Sequence, residues 1–271
     1  MARTSRGWNT KGTWLAGAAL AVVVALTGYA VLSGGDDDKG KPTAKDTPTA
    51  TSTARQPSVS PSATATYSEP DDWTEPDRWT ALPRGQRTDS GGSSVGFPQT
   101  TEGAVSMMVA ANSTAIQGST SNVDEQLRIF HSYIDKPEQT DQYADQIKQN
   151  ATASDASLAQ QMHVQPGQPL PSGAYLRSAV VGYQVISRSG TEVSAWLLSR
   201  VVQKDGEMTK EATSYSRTLA GAQWMDGDWR LTGAATNRAQ QAVQGKAQPT
   251  IAAPGDPGFN AAGWTAIRQA S

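Results

Sequence analysis

The sequence predicts an α+β domain, with helices packed on a curved four-stranded antiparallel sheet, held behind a membrane-spanning helix. Three observations predict it. Residues 100 to 162 repeat apolar residues at helical spacing. Residues 174 to 236 change to strand-like alternation broken by two Asp-Gly turns. Trp14 to Ser33 contain no charge and no proline. A helix rises about 1.5 Å per residue, so about 20 such residues cross a hydrocarbon core of about 30 Å. Helices first and then a sheet place the helices on one sheet face, in two layers.

Residues 1–13 form a short tail carrying Arg3, Arg6 and Lys11. The span is residues 14–33. A cleaved signal peptide is the competing reading, with Gly28-Tyr29-Ala30 as its small-residue site. The apolar run continues past Ala30 through Val31 and Leu32, beyond the usual length of a signal core, and favours an uncut anchor. Lys39, Lys41 and Lys45 nearly balance the basic tail, but the short tail favours a cytoplasmic N-terminus and an extracellular domain. Gly17, Ala21 and Ala25 recur every fourth residue and put small side chains on one face, a candidate site for self-association of the span.

Residues 34–72 are rich in Pro, Ser and Thr and lack large apolar side chains. Such a segment cannot offset the entropy of ordering and reads as a disordered, semi-extended spacer. The folded domain is expected over residues 73–238. Trp79-Thr80-Ala81-Leu82-Pro83 through Val95-Gly96-Phe97-Pro98 reads as an irregular lead-in.

Thr100 or Thr101 caps a helix expected over Glu102 to Ile116, with Ala104, Met107, Met108, Ala111 and Ala115 as its stripe and Gly118 ending it. Asn122 with Glu125 reads as a capping box for a second helix that buries Leu127, Phe130 and Ile134 and is closed by Pro137. A third runs from Glu138 to Met162, weakened over Asn150 to Ser157, where it could break in two.

Four strands follow, at Tyr175–Ile186, Glu192–Gln203, Glu207–Trp224 and Trp229–Thr236. Asp205-Gly206 and Asp226-Gly227 join the last three, since Asp-Gly readily takes positive φ. Gly182 and Gly221 are the candidate bulges of these long strands. Residues 239–271 read as a tail whose end, Phe259 to Ile267, is an amphipathic patch able to dock on the domain or a partner.

Composition narrows the chemistry. The 271 residues have a net charge of -2, which argues against an electrostatic nucleic-acid binder. They contain no cysteine, which excludes disulfides, thiolate metal sites and a thiol nucleophile. The two histidines, His131 and His163, limit acid–base and metal chemistry. His131 reads as a partly buried structural residue and His163 as a cation at a helix end. Asp135, Asp141, Asp145 and Asp155 read as solvated surface. No carboxylate pair is spaced for acid–base work, and no cofactor is expected.

Gly92-Ser93-Ser94-Val95-Gly96 matches the G-x-S-x-G nucleophile pattern, but it lies in a polar loop rather than between a strand and a helix. Asn112-Ser113-Thr114 and Asn150-Ala151-Thr152 match glycosylation sequons within predicted helices. Gln223-Trp224-Met225-Asp226-Gly227-Asp228-Trp229-Arg230-Leu231 sets two tryptophans across a hairpin, where an aromatic pair stabilises a sheet.

That Trp-x-Asp-Gly-x-Trp-x-Leu hairpin, closing a helices-then-meander order, resembles the cystatin-like or nuclear-transport-factor-2-like superfold. The tail, span, spacer and domain together resemble the single-span assembly proteins of conjugative type IV secretion machines. They also resemble conjugation proteins of Gram-positive elements and proteins associated with mammalian-cell-entry transport. Trp79-Thr80-Ala81-Leu82-Pro83, Val95-Gly96-Phe97-Pro98 with Glu102-Gly103-Ala104, and Trp196-Leu197-Leu198-Ser199-Arg200 are similar to an actinobacterial family of integral membrane proteins that accompanies conjugative elements. The likeness covers Trp79 to Ser271.

The resemblance implies a non-enzymatic scaffold of a cell-envelope transfer machine, with other membrane or envelope proteins as partners and a homo-oligomer as one option. No direct nucleic-acid contact is expected. Trp224, Trp229, Phe259 and Trp264 are its candidate partner surface. A small-ligand-binding or accessory protein of an envelope transport system, or a wall-associated exported protein, is the alternative. For the ligand-binding case, Met107, Met108, Phe130, Trp196 and Leu198 are expected to fill the space between sheet and helices.

Overall fold

A computed structural model describes residues 72–268. The expected tail 1–13, span 14–33 with Gly17, Ala21 and Ala25, and spacer up to residue 71 lie outside the described residues. No helix among the described residues is long and apolar enough to cross a membrane.

The domain is α+β, but its sheet has seven strands rather than four. In chain order the elements begin with β1 (Trp79–Ala81), β2 (Arg87–Thr88), β3 (Ser94–Val95), α1 (Thr101–Ala111), β4 (Thr114–Gln117), α2 (Asn122–Tyr133) and α3 (Asp141–Gln161). They continue with β5 (Ala174–Arg188), β6 (Glu192–Asp205), β7 (Ala212–Met225), β8 (Asp228–Leu231), α4 (Gly233–Val243), α5 (Pro257–Ala261) and β9 (Thr265–Arg268). The sheet runs β1-β9-β5-β6-β7-β8, and β4 pairs with the same edge of β5 that receives β9. β2 and β3 form a separate hairpin.

The predicted meander is present as β5 to β8, all antiparallel. The extra strands are short segments recruited from outside it. β4 takes the first half of β5, from Tyr175 to Ser178. β9 takes Gly182 and Tyr183 on the second half, and β1 joins β9 in parallel. The register of β5 against β6 shifts between Val180 and Gly182, where β5 passes from one edge partner to the other.

Helix ends follow side-chain competition for backbone groups. α1 stops at Ala111, five residues short of the expected Ile116. Asn112 and Ser113 reach back to the carbonyls of Met108 and Val109, each at 2.8 Å, and so satisfy the last turn. Ile116 then points inward from β4. The capping box of α2 lies one residue earlier than expected. Ser121 Oγ accepts from the Asp124 amide at 3.1 Å, and Asp124 accepts from the Ser121 amide at 2.8 Å. α3 is one helix of 21 residues. Thr152 and Ser154 donate to carbonyls one turn back, and Ala151 and Leu158 bury a continuous face, so the weak centre does not break.

The two-layer expectation fails. β6 is buried on successive residues from Val193 to Ser199, which requires cover on both faces. Val193, Ala195, Leu197 and Ala220 face α1 and α2 in the main core with Met107, Met108 and Phe130. Trp196 and Leu198 point the other way, into a second core with Tyr215, Ala253, Phe259 and Trp264. Trp196 and Leu198 therefore do not fill the space under the helices. A third core joins Ile116, Leu158, Met162, Leu176 and Val201.

The second core needs the segment read as a tail. The fourth strand ends at Leu231, and Thr232 caps α4 by accepting from the Ala235 amide at 3.1 Å. The boundary expected at residue 238 thus falls inside a helix. Gly221 is no bulge, since its register with Ser194 is regular. Its missing side chain admits α4, because a Cβ there would lie 2.4 Å from the Ala235 carbonyl carbon. Gly182 similarly accepts the Phe259 ring, which a Cβ would meet at 3.2 Å.

The chain ends also interlock. The Thr74 amide donates to the Gly255 carbonyl at 2.7 Å. Asn260 accepts from the Asp77 amide and donates to the Glu75 carbonyl, both at 2.9 Å. The irregular lead-in is therefore partly a strand, and its partner lies at the far end of the sequence.

Candidate interaction surface

The Trp-x-Asp-Gly-x-Trp hairpin is a knot that orders the fold. Asp226 and Gly227 both take positive φ, 51° and 78°, as a two-residue turn matching the strand twist requires. Trp224 and Trp229 then meet edge to face, with ring centroids 5.5 Å apart. Asp228 is buried, and its carboxylate accepts from the amides of Gly96 at 2.7 Å and Phe97 at 3.1 Å. The Trp229 indole donates to the Pro98 carbonyl at 2.8 Å. Pro98 in turn sits against Gly103, where a Cβ would fall 1.9 Å from its carbonyl oxygen. Two stretches singled out in the sequence, Val95–Pro98 and the tryptophan hairpin, are thus one structural unit.

The G-x-S-x-G stretch is likewise structural. Ser94 lies in β3, and the loop before it is closed by Asp89, which accepts from the Gly91 and Ser93 amides at 2.9 and 2.8 Å. Buried Ser93 accepts from Arg128 at 2.8 Å. The same guanidinium donates to the Ser113 carbonyl and pairs with Glu125 at 2.9 Å. Tyr133 donates to the Ser94 carbonyl at 3.0 Å, and burial pushes its phenol pKa up, so it stays a neutral donor. The Ser93 hydroxyl is thus engaged as an acceptor from the Arg128 guanidinium.

The acidic residues divide. Asp141 and Asp145 are exposed, but Asp135 is buried and Asp155 is partly buried. Asp155 accepts from the Asn122 and Val123 amides at 2.8 and 3.2 Å, and so holds the α2 N-terminus to α3. Its pKa is raised by burial, against those two hydrogen bonds. A cleft of about 140 Å³ opens beside it, lined by Gly118, Ser121, Leu158 and Leu170 among others. His131 is exposed rather than partly buried, its ring 5.1 Å from Phe130. His163 is exposed with φ 55° just after α3. Among the described residues, no group of three His, Asp or Glu could hold a metal ion.

The candidate partner residues are mostly interior. Trp229, Phe259 and Trp264 are at most 1 % exposed, and Trp224 is half-buried against Trp229. Trp264 donates its indole N–H to the Thr250 carbonyl at 2.8 Å. The amphipathic end docks on its own domain, where Phe259 and Trp264 bury apolar area against Trp196, Leu198 and Tyr215. Its aromatics are not a surface.

The surface that remains is the other half of that sheet face. From Ala174 to Val180, β5 alternates buried residues with the more open Tyr175, Arg177 and Ala179. β6 continues the same face with Arg200, Val202 and Lys204, and β7 with Thr213 and Tyr215. α4 and the C-terminal segment cover Trp196, Leu198, Tyr215 and Gly221, and the described residues leave Arg177, Lys204 and Thr213 more open. Arg217 marks the border. Its guanidinium donates to the Pro249 carbonyl and Gln248, and lies over the Trp196 ring.

Three cations stand on this open face. Arg177 donates to Gln117 at 2.7 Å and lies 4.3 Å over the Tyr175 ring. The Tyr175 hydroxyl donates to Glu211, and that bond raises the phenol's pKa. Arg200 Nε is buried and has no partner among the described residues. The sequence held the signal, since Arg200 and Val202 fall on the same strand face as Trp196 and Leu198. It could not reveal that the chain's own C-terminus covers one half of that face and leaves the other.

No protein family, curated protein or solved structure matches the chain.

Proposed function

We propose that this chain is a non-enzymatic, membrane-anchored assembly component of a cell-envelope transfer machine, conjugative DNA transfer being the process its sequence resemblance points to. The open half of the outer sheet face carries the reading. A sheet that covers one half of a face with its own chain and leaves three cations on the other is built for a partner. Asp228, Asp155, Arg128 and Ser93, the groups best suited to chemistry by type, hold main-chain atoms or one another instead.

Within this reading, residues 14–33 anchor the domain and residues 34–72 space it from the bilayer. Helices α1 to α3 against β5 to β8 form the cystatin-like or nuclear-transport-factor-2-like part, widened by β4, β9 and β1. A photoreactive residue at Val202 or Thr213, in the full chain in its native membrane, is expected to crosslink a discrete envelope protein. The same probe at exposed Lys148 on α3 is expected to give none. Equal capture from both positions, or from neither, overturns the proposal.

A further inference from the structure

We infer that the open half-face binds an acidic polypeptide segment, extended along the seam between β5 and β6 with carboxylates at alternate residues. This rests on the assembly reading and gives its partner a chemistry.

The register sets the spacing. Arg177 lies directly opposite Val202, so Arg200 and Lys204 are its two diagonal neighbours. Diagonal cross-strand neighbours are about 7–8 Å apart, within mutual repulsion. Along the strands the order is Arg200, Arg177, Lys204, each step two residues or about 6.6 Å. An extended peptide presents same-side side chains at that same step, so a carboxylate at every second residue meets one cation each. Among the described residues no carboxylate forms an ion pair with any of the three. Glu211, the nearby acid on this face, holds the Tyr175 hydroxyl. Placing three uncompensated cations side by side weakens a sheet; a bound acidic segment reverses the sign of that interaction. The guanidinium groups of Arg177 and Arg200 can grip a carboxylate with two parallel bonds.

The floor of the seam fits a peptide better than a nucleic acid. Val202 and Ala179 on this seam, and Thr213 beside it on β7, are small and half-buried among the longer side chains. Single-stranded nucleic acids bind sheets by stacking bases on open aromatic rings. Here the Tyr175 ring is covered by the Arg177 guanidinium, and Tyr215 is 7 % exposed.

The test uses the full chain in neutral detergent micelles and the anisotropy of a labelled peptide of alternating Glu and Ser. A length of about ten residues spans about 33 Å when extended. Binding is expected at low salt, weakening as salt rises, with no binding of the matching Gln-Ser peptide. Arg200→Gln with Lys204→Gln should weaken it about tenfold or more. Lys204→Gln alone should do so by a smaller factor, with an unchanged unfolding midpoint. Binding that is equal for the Gln-Ser peptide, or unaffected by the double substitution, overturns the inference. So does an oligothymidylate that binds where the peptide does not. If Val202 crosslinks the same envelope protein in the double variant, the assembly reading stands and the acidic partner falls. If the peptide binds as expected but no crosslink forms in the unsubstituted chain, the assembly reading falls alone.

Discussion

Replacing Asp228 with Ala should loosen the domain at one defined place. The carboxylate takes the amides of Gly96 and Phe97, 132 and 131 residues away in sequence, and both bonds are buried. A hydrogen bond to a charged group contributes about 1.5–3 kcal/mol, and an unmatched buried donor costs about 1–3 kcal/mol. The third bond, to the adjacent Trp229 amide at 2.9 Å, is local and adds less. The Trp229 indole still holds Pro98, so the loop stays near its place and its two amides go unmatched. The expected loss is about 3–4 kcal/mol, a large share of the roughly 5–15 kcal/mol that holds a typical domain together. Asp228→Asn keeps one accepting oxygen and should lose about half as much. Urea unfolding of the full chain in detergent, followed by tryptophan fluorescence, measures both. If Asp228→Ala lies within about 1 kcal/mol of the unsubstituted chain, or matches Asp228→Asn, the knot does not hold the loop.

Other perturbations probe the remaining contacts. Gly221→Val drives a side chain into the α4 backbone at Ala235 and Thr236 and should cost about 3 kcal/mol or more, read from the same unfolding curves. A chain ending at Gln244 uncovers Trp196, Leu198 and Tyr215 and should bind a hydrophobic dye and aggregate, whereas a dispensable tail would leave the domain unchanged. Glu138 accepts from the Gly233 amide at 3.0 Å, and burial, with Asp135 nearby, raises its pKa against that bond. A carboxyl that ionises less readily when folded subtracts stability as pH rises through its folded pKa. The stability of Glu138→Gln relative to the unsubstituted chain should therefore improve from about pH 4 to about pH 8. A flat or falling difference across that range refutes the reading.

Local patterns made the central elements legible in the sequence. The Asp226-Gly227 turn, the alternation over Glu192–Gln203 and the stripe of Met107, Met108 and Ala111 each reflect contacts among near neighbours, whereas Asp205-Gly206 opens a longer loop, with Asp205 ending β6 and β7 starting at Ala212. What escaped depended on residues far apart. Nothing in Thr114–Gln117 announces that it pairs with Tyr175–Ser178, and four residues are too few for a clear period. Trp196 and Leu198 looked like cavity lining because the second cover comes from residues beyond 238. Asp155 looked solvated because its partners, two amides of α2, lie more than 30 residues earlier. The candidate surface was half legible. Its alternating residues could be read from β6, but its cations mattered only once the register put Arg177 between Arg200 and Lys204. Trp229, Phe259 and Trp264 are buried for one physical reason: a large apolar ring finds its own chain first.

The pairing of β1 with β9 sets an order of events at birth. Asp77 meets Asn260 across 183 residues, so β1 waits for β9. Closing so long a loop carries an entropic delay that local helices do not face. A nascent chain that has passed β7 already holds β5 and β6 but still lacks the cover for Trp196 and Leu198. Until synthesis reaches Trp264, that oily half-face and the vacant edge of β5 invite chaperones, proteases or a neighbouring nascent chain. Arrival of residues 251–264 is thus the switch that hides the sticky half of the sheet.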